Sequence, residues 1–237
     1  MAKDKLKRWA ENKNFKHVFE PPLLPIIREG KTFMKGEWRS KFFKNDRPLI
    51  IELGCGKGEY TVELAKANPD KNYLGVDVKG HRFNHGARKA LELNLTNVAF
   101  LRTRIEFIEA FFDKDEVDEI WLTFSDPQPK DFIGHRRITS MVYWEKYKHF
   151  LKDNGVIHIK HDNPMVYHSA LEELEGTHHI IETHTSDVYG AYLNSISEKE
   201  KQILSIRTFY ESRWLQEGKH IHYIRFRYQN GLPRINR

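Results

Sequence analysis

The chain has 237 residues, 39% hydrophobic and 30% charged, which suits one sizeable α/β domain with an added segment. No apolar run approaches the roughly 20 residues that span a bilayer, and Met1–Arg8 has no apolar stretch of the kind a secretory leader needs. Cys55 is the one cysteine, so no intrachain disulfide can form and a reducing cytoplasm is the expected compartment. The net charge of +6 is unevenly spread: residues 1–47 carry +7, residues 48–206 hold 19 Lys/Arg against 25 Asp/Glu, and residues 207–237 carry +5. Two basic ends folded onto an acidic core would make a phosphate-binding surface, although solvated tails would give the same counts.

In chain order, residues 1–47 place Trp9, Phe15, Phe19, Phe33, Trp38, Phe42 and Phe43 among the cations, and Pro21, Pro22 and Pro25 forbid a continuous helix. The reading is a basic, extended N-terminal arm over 1–47 preceding a domain over 48–237. Its aromatics can stack on RNA or simply pack on the outside of a sheet. Pro48–Leu53 is the first strand, and it runs into Glu52-x-Gly54-x-Gly56-x-Gly58 and a helix over Lys57–Asn68. Glycines allow a sharp turn and close approach of the backbone to a ligand. The dinucleotide fingerprint wants a glycine at the sixth position, where Glu59 stands. The spacing found is that of class I S-adenosylmethionine (AdoMet) methyltransferases, and an ordinary Gly-rich β–α turn would look the same on this loop alone.

Tyr73–Val78 is the second strand, with Asp77 near its end. A carboxylate there can accept both hydroxyls of a ribose, or it is a surface acid at a strand end. A helix over His81–Asn94 turns Phe83, Ala87, Ala90 and Leu91 inward. Val98–Arg102 is a strand, Glu106–Phe112 a brief helix, and Val117–Phe124 a strand that opens into Ser125-Asp126-Pro127-Gln128-Pro129-Lys130. Prolines on both sides of Gln128 stiffen that loop, so Asp126 and Lys130 point in fixed directions at the mouth of the crevice. A helix capped by Thr139 or Ser140 runs to about Lys152 and stops at Asn154-Gly155. Val156–His161 is a strand, Asn163–Leu174 a helix, His179–Val188 a strand, Ser195–Ile203 polar and possible as a helix, and His220–Tyr228 a last alternating strand. The 13 histidines show no metal-ligand spacing.

Four motifs in this order carry a resemblance: the Gly loop, Ser125–Lys130, Lys160-His161-Asp162, and Thr208-Phe209-Tyr210-Glu211. Over roughly residues 30–228 the chain resembles the bacterial tRNA (guanine-N7)-methyltransferases, which act on the variable-loop guanine at tRNA position 46. The resemblance implies a Rossmann-like class I fold: a mostly parallel seven-stranded sheet, helices on both faces, and an antiparallel C-terminal strand. It implies AdoMet as cofactor and tRNA as partner, with no membrane and no metal, as a monomer or homodimer. Glu52, Gly54, Gly56, Gly58, Asp77, Arg104 and Asp126 would hold AdoMet, with Asp126 also catalytic at its edge. Lys130, Asp162, Thr208, Phe209, Tyr210 and Glu211 would hold the guanosine, and His135, Arg136 and Arg137 would contact RNA. The sequence departs from the family at Ser125 and Gln128, which replace a usual Pro and Trp, and at Asp131-Phe132-Ile133, where cations are usual. Arg104 aligns with a usual Asp or Asn near the adenine, and Glu106 could substitute there. The rival readings are a class I methyltransferase of another base and a catalytically silent RNA-binding protein.

Overall fold

Apolar runs without alternation are the mark of strands buried on both faces, as in a parallel sheet covered by helices. The computed structural model, which describes residues 2–129 and 131–230, bears this out in the first half of the chain. β2 (Leu49–Leu53) and β3 (Asn72–Asp77) are buried at every position, and β4 (Val98–Arg102) at all but its last. They pair in parallel, and a short β1 (Val18–Phe19) extends them, in the order β1–β4–β3–β2. The helices between them, α3 (Glu59–Ala67) and α4 (Gly80–Glu92), lie within two residues of their expected ends. Of the four residues expected to face inward on α4, Phe83, Ala87 and Ala90 are buried, while Leu91 is 51% exposed.

The N-terminal 47 residues are more ordered than an extended arm. α1 (Ala2–Asn12) lies against α4, where Asn84 Nδ2 donates to Asn12 Oδ1 at 2.9 Å and Arg88 pairs with Glu11. α2 (Leu23–Glu29) follows β1. The prolines do interrupt the chain, but Pro22 is the N-cap of α2 and Pro25 sits in its first turn, where backbone N–H groups have no helical partner to lose. Trp38 is fully buried and its indole donates to Phe111 O at 2.9 Å. The Glu116 carboxylate accepts the N–H groups of Gly36 and Trp38 at 2.8 and 3.1 Å, and burial raises its pKa. Phe19 meets both Trp38 and Phe42 edge-on. These aromatics therefore pack rather than stand free for stacking, although Phe33 is 67% exposed.

The chain divides into two compact units between Val117 and Asp118. In the second, β5 (Val117–Thr123), β6 (Leu151–His161), β8 (His222–Arg227) and β7 (Ile180–Thr185) stand in that order, with β8 antiparallel to both neighbours. Four helices belong here: α5 (Met141–Tyr147), α6 (Pro164–Leu174), α7 (Glu198–Leu204) and α8 (Phe209–Gln216). Among the described residues eight strands stand where seven were expected, and β1 is the addition, from the N-terminal segment. The antiparallel C-terminal strand is present as β8. One segment differs in kind: Asn154-Gly155 does not end a helix but bends β6. Asn154 takes φ 59°, its N–H donates to Tyr228 O at 2.9 Å, and Gly155 O accepts Tyr228 N–H at 2.9 Å. Asn is among the few residues that reach this left-handed region at low cost, which is why the same dipeptide serves helix ends and strand bends.

Candidate active site

In the first unit, Gly54, Gly56 and Gly58 all take positive φ, at 79°, 56° and 74°. The loop closes on itself and on the end of β3. Gly54 and Cys55 N–H donate to Val76 O at 2.8 and 3.0 Å, Gly58 N–H to Cys55 O at 2.8 Å, and Gly56 N–H to Asp77 Oδ2 at 2.9 Å. The glycines serve different ends. A Cβ at Gly58 would lie 2.5 Å from the Phe100 ring, whereas one at Gly56 would meet nothing within 4 Å, so the space over Gly56 is open. Asp77 is 8% exposed and its other oxygen accepts Lys79 N–H at 2.7 Å. A carboxylate has about four lone-pair sites, so acceptor capacity remains for vicinal hydroxyls. Glu52, 3% exposed, accepts a hydrogen bond from Thr61 Oγ1 on α3. The open concavity, the turned backbone and the two carboxylates fit a nucleoside cofactor with ribose hydroxyls and an ammonium group. Cys55 is buried, and burial together with the nearby Asp77 and Glu52 charges pushes its thiol well up, so it stays protonated. Arg104 is exposed and paired with Glu106 at 3.0 Å.

In the second unit, the loop after β5 begins at Phe124 and carries Asp126 exposed, with Asp126 Oδ1 accepting Gln128 N–H at 3.2 Å. Side chains from elsewhere hold this loop. His161 Nε2–H donates to Ser125 O at 2.8 Å, and its Nδ1 accepts Asn163 N–H at 2.9 Å. That pair of bonds requires the neutral ring, and burial lowers the pKa in the same sense. Arg137 donates to Pro127 O at 3.0 Å, Gln128 O at 3.2 Å and Ser169 Oγ at 2.9 Å. It is 8% exposed, so the expectation that Arg137 touches RNA gives way to a clamp on the proline loop. His135 and Arg136 are exposed. Lys130 lies outside the described residues.

The Thr208–Glu211 motif splits by role. Thr208 is the N-cap of α8 and accepts Glu211 N–H at 3.1 Å, as the S/T-x-x-E pattern of a helix start allows. Phe209 and Tyr210 are 57% and 42% exposed. Glu211 is fully buried: Lys160 Nζ lies 2.7 Å from its Oε1, and Tyr189 OH donates to the same oxygen at 2.7 Å. Lys160 Nζ also donates to Leu204 O and Ile206 O at 2.8 and 3.0 Å. Burial pulls the Lys160 pKa down, and the Glu211 carboxylate opposes that fall. Glu211 Oε2 is buried without a hydrogen-bond partner among the described residues. Glu211 is therefore a buried strut with one open acceptor, not a surface group. Asp162 sits near Lys219 Nζ at 3.5 Å, and Trp214 contacts Phe124 and Tyr210 at ring-centroid distances of 5.0 and 6.0 Å. Of the strut and clamp residues, Arg137 was expected at RNA, Lys160 and His161 stood in a motif without a role of their own, and Tyr189 was not singled out from the sequence. A lysine next to Ile157 and Ile159 in a strand was the available signal, since a cation buried there needs an anionic partner.

Residues 46–224 match a family described as putative methyltransferase. The chain is 46% identical to the tRNA (guanine-N(7)-)-methyltransferase of Christiangramia forsetii, over 95% of this chain and 98% of that one. It is 45% identical to the protein of the same name from Bacteroides thetaiotaomicron, over 96% and 86%. Among solved structures it is similar in fold to an antibiotic-related methyltransferase, with a TM-score of 0.55 at 15% identity over 84% of this chain and 96% of that one. A 16S rRNA (adenine(1408)-N(1))-methyltransferase from Catenulisporales acidiphilia gives a TM-score of 0.52 at 14% identity, over 85% and 95%. The fold is thus the Rossmann-like one of methyltransferases, and the chain belongs to the tRNA (guanine-N(7)-)-methyltransferase family.

Proposed function

We propose that the protein transfers the methyl group of AdoMet to N7 of the guanine at position 46 in the variable loop of tRNA, in the cytoplasm. Residues 48–237 are the catalytic domain in this reading, and residues 1–47 a basic segment attached to it. The observation that carries the reading is the 46% identity, across nearly the whole chain, to a protein named for this reaction. AdoMet supplies an electrophilic methyl group on a sulfonium. Glu52, the glycine loop and Asp77 bind and orient it, Asp77 through the ribose hydroxyls.

Guanine N7 has a free lone pair and no proton, so no general base is needed. The protein's work is positioning and electrostatics. As N7 is methylated the imidazole ring becomes cationic, and the Asp126 carboxylate, fixed by Gln128 N–H, stabilises that charge. His161 and Arg137 hold the loop so that Asp126 does not have to reorganise. Asp162 accepts from the N1–H and 2-amino donors of guanine, which adenine lacks, and buried Glu211 anchors the start of α8 beside the exposed Phe209 and Tyr210. Phe209 and Tyr210 offer aromatic faces to the nucleoside, and His135 and Arg136 contact phosphates.

The test is labelled methyl transfer to unmodified tRNA transcripts, with the product nucleoside identified. We expect 7-methylguanosine from a transcript with guanine at position 46 and none when that guanine is replaced. Label on another base or position, or no transfer to any tRNA, overturns the reading.

A further inference from the structure

The end of α8 carries a contact between two residues that lie in none of the four motifs. Gly218, at φ 76°, closes the helix: its N–H donates to Leu215 O at 3.1 Å, and Lys219 N–H reaches back to Trp214 O at 3.0 Å. A helix end with this pair of bonds sets the residue after the glycine beside the last turn, where it frequently makes an apolar contact. Here it brings a lysine over an indole, with Lys219 Nζ 5.5 Å from the Trp214 ring centroid.

Trp214 is half-buried and belongs to a row of rings that starts at the loop carrying Asp126. Phe124, which opens that loop, takes φ 49°, a conformation that a bulky residue seldom adopts, and its ring lies 5.0 Å from Trp214. Tyr210, 42% exposed, stacks on Trp214 at 6.0 Å with 30° between the planes. Ser125–Pro129 contains no aromatic residue, so the aromatic surface next to that loop comes from Phe124 and α8.

Lys219 is held loosely. Its Nζ stands 3.5 Å from Asp162 Oδ2 and 3.8 Å from Glu217 Oε2, and its side chain is 44% exposed. Ion pairs of this length at the surface, and an exposed cation over a ring, are weak and readily exchanged. Asp162 and the Trp214 face are also the two contacts that a flat base with N–H donors along one edge would use. The ring offers a stacking surface, and the carboxylate accepts from the donors. The ammonium occupies both contacts. A base that takes them displaces it, and the anion that arrives with the base is the base's own phosphate.

We propose that Trp214 is a stacking surface for the target guanine, and that Lys219 is an exchangeable cation which moves from Asp162 and the indole to an RNA phosphate as the base enters. The proposal rests on the tRNA reading above and adds two residues that this reading leaves without a role. The test uses the full chain on unmodified tRNA transcripts and compares Trp214→Phe with Trp214→Leu. The leucine variant should raise KM for tRNA at least tenfold, while the phenylalanine variant stays within threefold of wild type. AdoMet affinity and melting temperature should be alike in the two. If leucine and phenylalanine behave alike, whether both active or both impaired, Trp214 packs without stacking and the assignment is overturned. Lys219→Gln keeps a long polar side chain and removes the charge. Filter binding of tRNA across a salt series should then give a slope of log Kd against log salt smaller by about one unit. An unchanged slope means that Lys219 stays on Asp162, which overturns the exchange. If wild type methylates no tRNA, the tRNA reading fails and this proposal with it. If wild type methylates tRNA and leucine serves as well as phenylalanine, only this proposal fails.

Discussion

Two loops follow strand ends in this protein and are built by opposite means. The loop after β2 is shaped by its own backbone: three glycines in left-handed conformation, hydrogen bonds to Val76 O, and one carboxylate, Asp77, bridging to Gly56. The loop after β5 has two prolines and few internal bonds. His161 and Arg137 hold it by its carbonyls, with a further brace from Ser169. A backbone-built loop, with its N–H groups spent on its own bonds, keeps one fixed shape. A side-chain-built loop can be re-aimed by changing its struts.

The comparison can be broken most forcefully at the strut beneath α8. Lys160→Met leaves the Glu211 carboxylate buried without its cation and should cost about 3–5 kcal/mol in chemical denaturation. Lys160→Met with Glu211→Leu should regain most of it, and a double variant no more stable than the single would refute the strut. Asp126→Ala should lower kcat by about 10²–10³-fold. AdoMet affinity should stay near wild type, because the loop after β2 is intact. Turnover near wild type would end the electrostatic assignment.

On the other loop, Gly58→Ala adds backbone strain of about 1–2 kcal/mol and a clash with Phe100 worth about 1–3 kcal/mol. Gly56→Ala adds the strain alone. The two melting temperatures should therefore separate, with Gly58→Ala lower, and equal values would mean Phe100 yields freely.

Arg137→Lys separates a clamp from an RNA contact. Lysine cannot reproduce a fork on two carbonyls, so kcat should fall about tenfold. RNA affinity and its salt dependence should hold steady. A salt slope smaller by about one unit would instead restore Arg137 as a phosphate contact.

The most gradual effect, spread over two pH units, is on acid stability. His179 accepts Gln229 N–H at Nδ1, and burial brings its pKa from 6.5 to about 4. Between those values the unfolded chain holds the proton and the fold does not, so stability falls as pH falls through the window, by about 1.4 kcal/mol per unit at most. Melting between pH 6.5 and 4.5 should show the slope, and His179→Gln should flatten it.

The first loop was legible because its signals are local. Continuous apolar runs at 49–53 and 73–78, glycines at alternate positions and an acid at a strand end are each readable within a few residues, and the strands lie within one residue of where the sequence puts them. The N-terminal segment was not legible. Its prolines interrupt helices without forbidding them, and what orders α1 is a contact between Asn12 and Asn84, 72 residues apart. In the second unit the motif residues were visible but their jobs were not. Thr208 and Glu211 look like one substrate-binding unit, yet one caps a helix and the other pairs with Lys160. Arg137 looks like an RNA cation until Pro127, Gln128 and Ser169 are seen around it.

The sequence by itself determined the strand–turn–helix at residues 49–67, the placement of Asp77 and Asp126 at strand ends, and the family. These follow from hydrophobic period and from glycine's access to positive φ, which act over a few residues. Only the tertiary structure decided which charges face solvent and which are buried struts, and that the N-terminal segment packs against α4. The physical reason is that a charged side chain carries the same symbol whether it is solvated or paired. Which of the two holds depends on neighbours that the chain brings together from 36 residues away for His161 and Ser125, and from 72 for Asn12 and Asn84.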